Sequence, residues 1–292
     1  MTEPADDAFG AATMRLRVGC ELAFASDAPV AVLMLVRVRP DDRHRLIGES
    51  GTSAPEAPLR EYVDALGNRC WRLTTPVGAL SVRYDATVDV ERAADPVVPE
   101  AGLAAPWELP DDALVFTLPS RQVESDLLLA DAWRLFGDTP PTWVRVQAVC
   151  DWIHAQVRYD PTASGPATLG SAVGVYQRRV GVCRDFALLA VAFCRALNIP
   201  ARYVFGYLPD VGVAPPGTPM DFHAWFEALV GGQWYAFDAR HNRPRAGRVP
   251  VGRGRDAVDV ALTTAYGAAT LTGIAVWADE VLERAPGEMA AR

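Results

Sequence analysis

The stretch "RRVGVCRDFALLAVAFCRALNIPARY", Arg178 to Tyr203, carries two cysteines on one apolar helical run and decides how the chain is read. Gly181 precedes the run, and Asn198-Ile199-Pro200 closes it because proline cannot continue a helix. Cys194, between Phe193 and Leu197, reads as a buried, inert core thiol. Cys183 stands at the helix start, where unpaired backbone N–H groups and the positive end of the dipole favour a thiolate. Gly181 allows a tight turn and close approach by a ligand. A cysteine so placed becomes a nucleophile only with a base and an orienting group beside it.

Of the four histidines, His223 has the context for that base. "DFHAWFEAL" alternates as a strand, and Gly231-Gly232 suits a two-residue hairpin turn into "QWYAFDAR". Such a turn pairs Val230 with Gln233, so Trp225 faces Asp238 and His223 faces Arg240. Asp238 then lies diagonally from His223 on one face, where a carboxylate can accept the imidazole N–H. A three-residue turn would move Asp238 to the other face. On spacing alone two readings stand: a His–Asp pair serving Cys183, or a strand histidine with Asp238 paired to Arg240.

Elsewhere the chain is organised around this segment. From Thr13 to about Val90, "TMRLRVGCELAFA", "VAVLMLVRV" and "WRLTTPVGALSVRYDATVDV" are strand-like and separated by polar turns, the pattern of an antiparallel β-sandwich or half-barrel. His44 sits in the charged turn "PDDRHRLIGESG" and reads as solvated. A proline-rich connection follows. In "DTPPTWVRVQAVCDWIHAQVRYD", Thr139 is expected to cap a helix with Pro140 and Pro141 in its first turn. Trp143, Val146, Cys150, Ile153 and Val157 form its apolar stripe, and His154 points away. "PTASGPATLGSAVGVYQRR" reads as a loop entering a short helix, and "PDVGVAPPGTPM" as an exposed loop.

The 292 residues, half of them hydrophobic, are enough for two domains or one large one. Formal net charge is -8, which gives no reason to expect nucleic acid or an anionic membrane as partner. All 28 basic residues are arginine. The acidic opening "MTEPADDAFG" lacks the pattern of a signal peptide, and the run Ala28 to Val36 is too short to span a bilayer. Five cysteines without metal spacing suggest free thiols in a reducing cytoplasm, and no motif calls for a cofactor or metal.

Together "GVCRDFA", "RALNIPARYVFGY", "DFHAWFEA" and "WYAFDARHN", with "FTLPS", "VRYDP" and "GRGRDAVDVALTTAYG", resemble the bacterial transglutaminase-like superfamily. The resemblance covers about residues 110 to 285. It implies an α+β chain: an N-terminal β-domain (1–95), a Pro-rich connection (96–125) and a papain-like transglutaminase core (126–292). Carried over residue by residue, it makes Cys183 the nucleophile, His223 the base and acid, and Asp238 the orienting residue. Leu188 departs from the histidine common after "CRDFA", and Ala239 from the proline common after the aspartate. The N–H of Cys183 would be one oxyanion donor. Gln177, six residues earlier, has the offset of the second donor in papain-like proteases, and equally reads as a surface helix residue.

The implied chemistry is thioester formation at a peptide or carboxamide carbonyl of a peptide or protein substrate, followed by hydrolysis or transfer to an amine. Hydrolysis is slightly favoured, because many bacterial members are taken for cysteine proteases. Animal transglutaminases use calcium, but no EF-hand-like loop carries that over. The rival reading is a catalytically inactive binding or assembly module of the same fold.

Overall fold

The computed structural model describes residues 13–163, 170–214, 217 and 219–281. The acidic N-terminal decamer, most of the loop before Ser171 and part of the loop at 209–220 lie outside the described residues.

Six strands come first: β1 (Thr13–Ser26), β2 (Val30–Met34), β3 (His44–Ala54), β4 (Arg60–Val63), β5 (Arg69–Thr75) and β6 (Gly78–Glu91). Alternation in β1 puts Leu16, Val18, Cys20 and Leu22 fully inside while Arg15 and Arg17 pair outward with Asp89 and Asp85. Trp71 of β5 meets Tyr84 of β6 edge-on at 5.6 Å, joining the two inner faces.

Five helices follow, with a short strand pair between them: α1 (Asp111–Leu114), α2 (Leu129–Phe136), α3 (Trp143–Gln156), β7 (Arg158–Tyr159), α4 (Ala172–Arg178), β8 (Val180–Gly181) and α5 (Cys183–Ala196). The expected stripe of α3 is buried. Its cap is Thr142, not Thr139: the Thr142 hydroxyl accepts the Val144 N–H at 3.2 Å, and both prolines precede the helix. α5 is buried from Asp185 to Ala196 on every side, as its near-continuous apolar sequence requires. Phe193 packs edge-on against Phe136, Trp152 and Tyr176, so α2, α3 and α4 all brace it.

The chain ends in β9 (Ala201–Tyr207), β10 (His223–Val230), β11 (Gln233–Phe237), β12 (Val249–Gly254), β13 (Thr263–Ala265) and β14 (Ala269–Glu280). One antiparallel sheet, ordered β11-β10-β9-β12, lies under α5. The other two sheets are β14-β1-β6-β3 and β13-β2-β5-β4. β13 and β14 return to the front of the chain and pair with the otherwise open edges of β2 and β1. Buried residues from Met14 to Ala278 form one continuous core, and the Tyr207 hydroxyl donates to the Val36 carbonyl at 2.8 Å across it.

His44 also differs from expectation. It opens β3, pairs with Val90 and is buried, and that burial holds its pKa below the usual imidazole range. Strand pairing draws this turn residue inward, which a charged local sequence does not reveal.

Candidate active site

Cys183 is the first residue of α5. The turn before it is tied down by Asp185, whose Oδ2 accepts the Val182 N–H at 2.9 Å. A Cβ on Gly181 would stand 2.6 Å from the Asp185 Cβ, so the glycine makes room for this capping carboxylate. α5, which starts at Cys183, packs against β10, which starts at His223, and the backbone N–H of Ala224, the residue after His223, favours the charged form of the thiol. Of the five cysteines, all free thiols, Cys183 alone is half-buried and the other four are fully enclosed.

The hairpin has the expected register. Val230 pairs with Gln233 and Phe226 with Phe237, around Gly231 and Gly232 at φ 57° and 77°. Continuing that register brings Asp238 to His223, and Nε2 lies 2.7 Å from Asp238 Oδ2. An ionised carboxylate only accepts, so the proton sits on Nε2 and Nδ1 is the ring's basic nitrogen.

Asp238 is a hub. Its Oδ2 also takes His241 Nδ1 at 2.9 Å and Arg248 Nη2 at 3.4 Å, while Oδ1 accepts the backbone N–H groups of Arg240 and His241, each at 3.1 Å. His241 Nε2 lies 3.0 Å from Arg240 Nη1. A guanidinium can only donate, so Nε2 accepts and Nδ1–H faces Asp238. The Arg240 guanidinium lies over the Tyr159 ring at 3.9 Å, and its carbonyl contacts His154 Nδ1 at 2.9 Å. His223, Asp238 and His241 could in principle gather round a metal ion, their ligand atoms lying within 4.8 Å of one another. Both ring N–H groups already donate to the carboxylate, however, and the Arg248 cation touches the same oxygen. The arrangement suits a hydrogen-bonded hub better than a cation.

Burial pushes the Cys183 thiol up to about 11, against the pull of the Ala224 N–H and Arg240. This reverses the expectation from the helix dipole, because desolvation outweighs it. Burial likewise takes His223 down to about 4 despite Asp238. Burial would also raise Asp238, but His223, His241 and Arg248 outweigh it and hold the carboxyl well below its usual range. Either lone charge is disfavoured at the sulfur or the ring.

Leu188 is fully buried within α5, and Ala239 is buried beside the hub, so both departures fill core space. Gln177 is exposed on α4. Sequence reasoning missed His241 and Arg248 as parts of this site, and placed Arg240 beside Asp238 only in the alternative pairing. Only the Asp238–His241 spacing carried a signal, since a residue three positions on in a turn can reach back.

Residues 134–239 match the family model of the Transglutaminase-like superfamily. The chain belongs to this superfamily. Over 219 residues it is 31% identical to uncharacterised proteins of Mycobacterium tuberculosis and Mycobacterium bovis, covering 68% of this chain and 68% of each relative. An uncharacterised Mycobacterium leprae protein is 36% identical over 119 residues, a match that spans only 42% of its length. Among solved structures, a "Putative Cysteine Protease" from Cytophaga hutchinsonii is 31% identical, with a TM-score of 0.83 over 94% of this chain and 93% of that one. Among the described residues no helix is long and apolar enough to cross a membrane.

Proposed function

We propose that this chain is a thiol-dependent acyl-transfer enzyme using Cys183, His223 and Asp238, with hydrolysis of a peptide or carboxamide bond as its main outcome. The observation that carries the reading is the 2.7 Å contact from His223 to Asp238 on the strand hairpin packed against α5, whose first residue is Cys183. Nδ1 of His223 takes the thiol proton as the sulfur attacks the carbonyl carbon. The tetrahedral oxyanion is set toward the backbone N–H of Cys183 at the start of α5. Collapse expels the amine, protonated by His223, and leaves a thioester on Cys183. Water, deprotonated by the same ring, then releases the acid.

Hydrolysis is preferred over transfer because the Cytophaga relative, 31% identical over nearly the whole chain, is named a "Putative Cysteine Protease". The sequence has no lysine, so it offers no ε-amine for self-cross-linking, and any amine acceptor would come from a partner or a small amine. Five free thiols are consistent with a reducing compartment, the cytoplasm.

The test supplies purified enzyme with glutamine-containing peptides, with and without a labelled primary amine. Ammonia or peptide fragments released without amine incorporation, and lost in Cys183→Ala, are the expected result. Cys183-dependent incorporation would make the enzyme a transferase. A sulfur that resists acylating probes, with no turnover of a broad peptide library, would leave the binding-module reading.

A further inference from the structure

Arg248 is buried, its side chain 7% exposed, and lies between two carboxylates from distant parts of the chain. Its Nε bonds both oxygens of Asp95, at 3.0 and 2.9 Å, and its Nη2 reaches Asp238 Oδ2 at 3.4 Å. Asp95 belongs to the segment leaving the front β-region, and is itself fixed. Its N–H donates to the Arg245 carbonyl, and its Oδ2 accepts the Arg245 N–H, both at 2.9 Å. Gly247, next to Arg248, has φ 81°, and a Cβ there would lie 2.8 Å from the Met14 methyl and 3.4 Å from Leu16 Cδ1. The turn that presents Arg248 is therefore pressed against β1 on one side and bolted to Asp95 on the other.

We infer that Arg248 is a positioning residue for the His223–Asp238 pair, and that Asp95 and the β1 face set it, making the front β-region part of the active-site framework. This inference rests on the catalytic reading of Cys183, His223 and Asp238. Guanidinium geometry is what the position needs. One planar group spans two carboxylates with separate N–H donors, whereas a single ammonium is a point charge. The guanidinium carbon also lies 5.1 Å from the centroid of Trp225, whose ring stacks beside His223. The charged and titratable groups facing His223 are Asp238, His241 and Arg248, with Cys183 across from its strand start. Of these, Arg248 and His241 oppose the imidazolium and Asp238 favours it.

The test measures second-order alkylation of Cys183 by iodoacetamide from pH 5 to 9 in the full chain, with a melting curve for each variant. Arg248→Met should slow alkylation about 10- to 100-fold, the scale of a displaced catalytic group. Removing that cation should also move the limb controlled by His223 to higher pH. Asp95→Asn leaves the Arg248 cation less neutralised and should move the limb to lower pH, and Arg248→Lys should restore only part of the rate. Variants that fold and keep the wild-type rate and limb would overturn the inference. A merely structural role would lower the melting temperature without moving the limb, and that result overturns it too. If Arg248→Met does not fold, Asp95→Asn and Arg248→Lys decide by the same two outcomes. His223→Ala separates the two claims. If it leaves the profile unchanged, the catalytic reading falls and this inference with it; if it removes the limb while the Arg248 and Asp95 variants do not move it, only this inference falls.

Discussion

Glu227 and Asp238 are both buried carboxylates on one hairpin, and each is tied by an arginine to an aspartate from the front of the chain. Glu227 accepts from Arg202 at 2.6 Å and from Arg253 at 2.9 and 2.8 Å, and Arg253 also pairs with Asp41. Asp238 accepts from Arg248, which holds Asp95, but its other side-chain partners are His223 and His241. Around Glu227 every partner is permanently charged, so the cluster has one protonation state and can only hold β9, β10 and β12 together. At Asp238 a permanent cation is combined with His223, whose ring can gain or lose a proton. The geometry of the two clusters is similar, and the His223 imidazole is what sets the second apart.

The comparison is broken most severely through the rings. His223→Ala should lower the rate of Cys183 acylation by about 10²- to 10⁴-fold, the usual contribution of a general base, and acyl transfer from an activated ester measures it. Glu227→Ala should do the opposite. It leaves Arg202 and Arg253 buried without their carboxylate and should cost about 3–5 kcal/mol in urea unfolding. The folded fraction should still acylate Cys183 at close to the wild-type rate.

Acid sharpens the contrast. The folded pKa of His223, about 4, lies below the unfolded imidazole value. Between those two values the unfolded chain binds more protons, so stability rises with pH across the window. The ring's contribution is fully present above about pH 6.5 and is lost as pH falls toward 4, an effect on the order of 2–3 kcal/mol. His44, also lowered by burial, adds a slope of the same sign. Glu227 and Asp238, both held low, lose their contribution only as pH falls below about 4, the unfolded carboxylate value. Urea titrations at pH 7 and 5 should therefore show a smaller loss in His223→Gln than in wild type, and an unchanged loss in Glu227→Ala.

The smallest effect belongs to the second cysteine of α5. Cys194→Ala should cost about 1 kcal/mol for a small core cavity and leave iodoacetamide labelling of Cys183 unchanged. Near pH 6, peptide mapping should find label on Cys183 before any other thiol.

Much of this contrast was legible in the sequence. The two glycines fixed the hairpin register, since both adopt positive φ, and that register carried His223 to Asp238. Proline and the apolar run bounded α5, and alternation marked the front strands. Partners brought from far along the chain were not legible. Nothing near Asp95 signals Arg248, and nothing local tells β14 that its place is beside β1. The thiol's acidity was misjudged for a related reason: the dipole is a local property, whereas the burial that outweighs it comes from packing. Likewise, the charges around His44 gave no hint that pairing with β6 would bury it.

The central claim is that Cys183, His223 and Asp238 act as one unit, and a double-mutant cycle on Cys183 acylation tests it most directly. Rates are measured with an activated ester for wild type, His223→Ala, Asp238→Ala and the double variant. Coupled groups give losses that do not add, so the double variant should be hardly slower than His223→Ala alone. A double variant whose free-energy loss equals the sum of the two single losses would show that the carboxylate does not act through the imidazole, and would contradict the account.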